Sequence, residues 1–137
     1  MTPADLVRRW YEEVWNEGRL DICDEIFAAD YRHPGQPLPG PVGPKRVVEA
    51  YRRAFPDIRF TIEDVLSDGS RVATRLTFRG THLGVLDDLA PTRRKVEVRA
   101  IGIFHVDGDR LAKHWGLFDQ AALRRQLEEP SADPAPW

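Results

Sequence analysis

The apolar residues of this chain change their spacing once, around Phe55-Pro56-Asp57, and that change decides the fold class. Before it they recur at helical intervals; after it they alternate. A helix buries positions three or four apart, whereas a strand with one covered face buries every second residue. Helices followed by a block of strands give the α+β class.

The helical part opens at Thr2. Its hydroxyl can cap a helix, Pro3 suits the first turn, and Asp5 sits at the third helical position, as in a capping box. Leu6, Val7, Trp10, Tyr11, Val14 and Trp15 form a wide apolar stripe, and Gly18 is the stop. A second short helix is expected from about Leu20 to Ala28. Between His33 and Pro44, prolines at 34, 37, 39, 41 and 44 exclude regular structure. Pro44 is expected to open a third helix with the face Val47, Val48, Tyr51, Ala54 and Phe55.

In the alternating part, Ile58, Phe60, Ile62 and Val65 mark a first strand, which turns at Asp68-Gly69. Val72 to His82 is the second strand and Lys95 to Val106 the third. Asp107-Gly108-Asp109 turns the chain into a fourth, Leu111 to Phe118, and a last helix runs from about Gln120 to Leu127. Three helices on one curved sheet make a cone with an open end, where a ligand site belongs. The 137 residues suffice for one cored domain, expected over residues 1–128. Residues 129–137 are expected to be a disordered tail, apart from any docking of Trp137.

Composition narrows the function classes. A net charge of -2 gives nucleic acid no basic footprint. No apolar run approaches the roughly 18 residues of a membrane span. The first residues show no basic and apolar signal-peptide regions. Cys23 is the single cysteine, which excludes an internal disulfide and a cysteine-built metal site and reads as a reducing cytoplasm. His33, His82, His105 and His114 include no close ligand pair, so no metal is expected. An enzyme or a binding module for a small molecule remains.

Several ordered landmarks carry a more specific likeness. They are Val14-Trp15-Asn16-Glu17-Gly18, Tyr31-Arg32-His33, Phe55-Pro56-Asp57-Ile58, Arg79-Gly80-Thr81-His82-Leu83-Gly84, Pro91-Thr92-Arg93-Arg94, His114-Trp115 and Phe118-Asp119. Together, over about Asp5 to Leu127, they resemble the SnoaL-like polyketide cyclases of the nuclear transport factor 2-like superfamily. The resemblance implies a cystatin-like conical barrel, a curved antiparallel sheet wrapped on N-terminal helices. It implies acid–base chemistry without metal or cofactor, an aldol cyclisation or an isomerisation, on a small hydrophobic ketone or polyketide-like molecule.

The resemblance also places a catalytic carboxylate at Asp119 and a histidine near His105 beside it. It puts His33 and His82 near the cavity mouth. A carboxylate in an apolar cavity has a raised pKa and can exchange a proton with a carbon acid. Asp119 also directly precedes the last helix and can be its N-cap. On the third strand Arg99, Ile101, Ile103 and His105 share one face, and Val96, Val98, Ala100, Gly102, Phe104 and Val106 the other. Both faces are apolar, so the pattern alone does not say which one looks inward. If Trp115 and Asp119 line the pocket on the fourth strand, His114 points away. Trp15, Tyr31, Phe55 and Trp115 are expected on the cavity wall, with Tyr31 able to donate to a substrate carbonyl.

Catalytic roles therefore fall to Asp119, His105 and His33, and substrate contacts to Trp15, Tyr31, Phe55, His82, Arg99 and Trp115. The alternative is a non-catalytic ligand-binding or dimerisation module. An epoxide hydrolase or dehydratase fits less well, because Ile101 stands where a carboxylate would have to accompany Arg99. A sheet with one uncovered face predicts a homodimer.

Overall fold

The computed structural model describes residues 1–128; the expected tail and Trp137 lie outside the described residues. Helix α1 spans Pro3–Arg9 and starts with the capping box: the Asp5 amide donates to Thr2 Oγ1 at 3.1 Å, and the Thr2 amide to Asp5 Oδ2 at 2.8 Å. Trp10–Trp15 continues it as a π-helical segment, closed by the Asn16 amide donating to the Tyr11 carbonyl at 3.1 Å. The stripe explains the widening. Its pairs, Leu6 and Val7, Trp10 and Tyr11, Val14 and Trp15, repeat every fourth residue. An α-helix of about 3.6 residues per turn would carry such pairs steadily off one face, and a wider turn brings them back. All six are buried. Gly18, at φ +74°, then ends the helix in the left-handed region.

The second helix is shorter than expected. A 3₁₀ turn at Leu20–Ile22 leads into α2, Cys23–Ile26. Phe27 is already extended and bridges in parallel to Leu111, and the Ala28 amide donates to the Leu111 carbonyl at 3.0 Å. The chain leaves the helix because a strand edge offers it hydrogen bonds. Helix α3, Val42–Ala54, begins two residues before Pro44, which sits within the first turn, where a missing N–H loses nothing.

Four antiparallel strands follow in sequence order: β1 Arg59–Asp68, β2 Arg71–Thr81, β3 Lys95–Asp107 and β4 Arg110–Phe118. Gly69 and Gly108 make the two tight turns at φ +58° and +63°. Register shifts at Ile62/Asp64 and at His105/Val106 mark bulges of the kind that bend a sheet. The sheet is curved but open, so the expected barrel is a half-cone with β1 and β4 as its edge strands, β4 bridged at Leu111 by Phe27. Helix α4, Gln120–Glu128, packs back on β3, where Gln126 bonds the Glu97 main chain through Oε1 and Nε2, each at 2.8 Å.

Burial settles the face of β3. Val96, Val98, Ala100, Phe104 and Val106 are buried against the helices, whereas Ile101 and Ile103 are exposed. Arg99 and His105 therefore belong to the outer face. One polar clip fixes the cone's angle. Asn16, just past the π-segment, donates to the Phe60 carbonyl at 2.9 Å and accepts from the Phe60 amide at 2.7 Å. Asn16→Ala removes both bonds and is expected to cost about 2 kcal/mol in urea unfolding. Asn16→Asp keeps the acceptor and should lose less; equal stability of all three proteins would show that the clip holds nothing.

Candidate active site

The helices and the inner face of the sheet do not fill the cone. They leave a cavity of about 290 Å³. Trp10, Tyr11 and Trp15 line it from the widened helix, Val47 and Tyr51 from α3, and Phe60, Leu76 and Phe78 from the sheet. Aromatic rings interlock around it: Trp15 meets Phe60 at 5.1 Å, and Tyr51 meets Phe118 at 6.3 Å. Pro34, Ala100, Ile101, His114, Gly116, Leu117, Phe118 and Gln120 line both this cavity and a broader trough of about 830 Å³ along β3 and β4, which also takes in Arg99, Trp115 and Asp119. The two hollows share that lip.

Two imidazoles interrupt the apolar wall. His33 enters from the proline-rich loop, and its Nδ1 lies 2.9 Å from the hydroxyl of Tyr31, which is wholly buried beneath it. His114 enters from β4. Its ring lies flat on Phe104, 4.0 Å away and 5° from parallel, and 6.3 Å from the His33 ring. Burial pulls His33 down to about 4. Burial, and then the charge that His33 would carry, pulls His114 down to about 4. Both are therefore neutral near pH 7.

The other expected residues are dispersed. Trp15 lines the cavity with His33. Asp119 is exposed on the trough and caps α4, accepting from the Ala122 amide at 3.0 Å. Its own amide donates to the Arg99 carbonyl at 3.1 Å, which pins the cap to β3. His105 stands on the outer face against Trp115, ring to ring at 4.7 Å, and lines neither hollow. Arg99 and Trp115 line the trough; the guanidinium of Arg99 lies 3.3 Å from the Glu97 carboxylate. Tyr31 lines neither hollow and bonds His33 from below. Phe55 is wholly buried beside Phe78 and His82. His82 accepts from the Thr92 amide at 3.2 Å and pairs its main chain with Arg93 and Arg94, so it fastens the 84–94 loop. The structure thus does not gather Asp119, His105 and His33 at one point.

His114 faces the cavity although the expected placing of Trp115 and Asp119 pointed it away. Strand alternation puts His114 and Trp115 on opposite faces, yet the trough reaches round to both, so His114 lines it with Trp115 and Asp119 and lines the cavity too. Gly102 and Gly116, partners across β3 and β4, are the trace in the sequence. Two strand-interior glycines facing each other mark a place where something comes close to the backbone.

The sequence model of the SnoaL-like polyketide cyclases matches residues 5–127. The aklanonic acid methyl ester cyclase DnrD of Streptomyces peucetius is 28% identical, with 99% of this chain and 97% of that protein covered. The nogalonic acid methyl ester cyclase of Streptomyces nogalater is 27% identical over 90% of this chain and 96% of its own. TsrD from Streptomyces laurentii superposes with a TM-score of 0.83 at 26% identity, covering 90% of this chain and 92% of its own. A SnoaL-like polyketide cyclase from Agrobacterium tumefaciens gives 0.78 at 26% identity, covering 93% and 98%.

The buried imidazoles set a pH dependence of stability. Their folded values, about 4, lie below the ordinary 6.5, so between those limits the unfolded chain binds more protons. Stability is whole above about pH 6.5 and falls as the pH drops towards 4, by at most roughly 3 kcal/mol per histidine. Thermal unfolding from pH 7.5 to 4.5 should show a steeper fall for the wild type than for the His33→Gln/His114→Gln protein. Equal slopes would contradict this.

Proposed function

The chain belongs to the SnoaL-like polyketide cyclase family, and from that premise we propose that it closes a ring in a small hydrophobic ketone or polyketide-like molecule. The observation that carries the reading is the cavity: an aromatic hollow of about 290 Å³ with two neutral imidazoles inside and a carboxylate near its lip. The curated relatives named above are cyclases of methyl esters, which supports the same reaction class.

The chemistry is an intramolecular aldol addition. Asp119 takes a proton from the carbon beside a carbonyl. The resulting enolate carbon attacks a second carbonyl of the same molecule, and the alkoxide so formed takes the proton back. Nothing is oxidised and nothing leaves, so acid–base groups of the chain suffice and no cofactor is invoked. His33 faces the substrate from the cavity wall, while His105 is given no part because it lines neither hollow. A binding module is the second reading, favoured by the engagement of Asp119 as a helix cap.

The outer face supports a homodimer. Ile101, Ile103, Trp115 and Leu117 are exposed there by 52%, 45%, 53% and 82%, an apolar patch that a second copy would cover. Among the described residues no helix is long and apolar enough to cross a membrane. The buried free thiol of Cys23 fits a cytoplasmic protein.

Two measurements check these readings. Asparagine caps a helix as well as aspartate does, so Asp119→Asn should keep its melting temperature while losing activity. With aklanonic or nogalonic acid methyl ester as trial substrate, ring closure appears as a chromatographic shift without change of mass. The variant should be slower by about 100-fold or more. Turnover at the wild-type rate would remove Asp119 as the base, and no turnover by the wild type with either ester would favour the binding module. Ile103→Lys/Leu117→Lys should sediment as a monomer where the wild type sediments as a dimer; a monomeric wild type would refute the homodimer.

A further inference from the structure

The His114 imidazole is seated against two glycines, and a third lets the backbone-proximal part of His33 pack against α3. A Cβ on Gly102 would stand 2.9 Å from His114 Nε2, and one on Gly116 would stand 3.0 Å from the same atom. A Cβ on Gly43 would meet the His33 Cβ at 3.0 Å. None of these glycines has a positive φ, so none is needed for backbone conformation. Each gives up strand or helix propensity at a site where only close approach explains it. The fold fixes these two rings: His114 between the Gly102–Gly116 notch and Phe104, His33 between α3 and Tyr31.

The surroundings of each ring favour one nitrogen for the proton. The Tyr31 hydroxyl is buried and bonded to His33 Nδ1. Its proton finds its acceptor there, so Nδ1 accepts and the neutral ring carries its N–H at Nε2. His114 Nδ1 is buried with no hydrogen-bond partner among the described residues. A bare lone pair is cheaper to bury than an orphaned N–H, which again puts the proton on Nε2. Both rings thus offer N–H donors in an apolar hollow, and their resistance to protonation keeps them donors rather than cations near pH 7.

We propose that His33 and His114 form a two-donor site for an oxyanion, taking the enolate oxygen of the substrate or a phenolate of similar shape. Fixed donors aimed at developing charge in a water-poor site are the strongest electrostatic aid a protein gives to enolisation. Tyr31 is a positioning residue, because it sets the proton of His33 without touching the ligand.

The proposal rests on the ring-closing reading of the cavity, but its test does not need turnover. 2-Naphthol undergoes no ring closure, and its ionised form has its own fluorescence. Titrated between pH 7 and 10, the wild type is expected to bind naphtholate at least about tenfold more tightly than naphthol, a shift of one unit or more in the bound probe. His114→Phe keeps the ring stacked on Phe104 and removes the donor; the preference should fall towards unity. Gly116→Ala, which displaces the ring without deleting it, should weaken it as well. Nitrogen-15 spectra of the wild-type histidines should show both neutral rings protonated at Nε2, a readout independent of how the variants fold. Equal binding of the two probe forms by the wild type, an undiminished preference in His114→Phe, or a proton on Nδ1 of either ring would overturn the assignment. Naphtholate preference without cyclisation would sink the ring-closing reading and leave this site standing; cyclisation without the preference would do the reverse.

Discussion

The structure depends on a packing mismatch between the first helix and the sheet. Apolar pairs that recur every fourth residue force the helix to widen at Trp10–Trp15, and the widened turn presents Trp10, Tyr11 and Trp15 side by side. Rings of that size cannot interdigitate fully with a sheet face that carries Ala100 and Gly102 at its centre. The cone therefore closes around a hollow rather than a solid core. Glycine and alanine on the strand leave the room, tryptophan and tyrosine on the helix keep the walls rigid, and the apolar lining holds both imidazoles neutral.

Much of this fold was legible in the sequence. The capping box, the buried stripe, both glycine turns and the four strands follow from local rules, and the structure shows them within a residue or two. The early end of α2 was not, because the partner that competes for its backbone, Leu111, lies over 80 residues away. Nor was the inward face of β3. Ile101 and Ile103 look like core residues, and only the third dimension shows that they cover the outside.

The site was less legible than the fold, for the same reason. His33 and Trp15 line the cavity. Asp119, Trp115 and Arg99, assigned to one pocket, do share the trough, and the trough opens onto the cavity across His114, Gly116 and Phe118. His114 was hidden by that assignment, and the information that exposes it lies in the two glycines facing it rather than in the histidine itself. The shared lip joins interior and exterior: in the proposed reaction a substrate seated among the aromatic rings turns its carbonyl oxygen to the imidazoles and the adjoining carbon to Asp119.

In the proposed reaction the substrate's rings lie inside the cone and its enolate oxygen sits on the histidine pair, with Asp119 at the lip. A crystal structure of the protein with a cyclised product or a bound naphtholate tests it most directly. The account predicts the ring system between Trp15 and Phe118, with an oxygen about 3 Å from Nε2 of both His33 and His114. A ligand lying in the outer trough, stacked on Trp115 with its oxygens on Arg99 and Asp119, would contradict it.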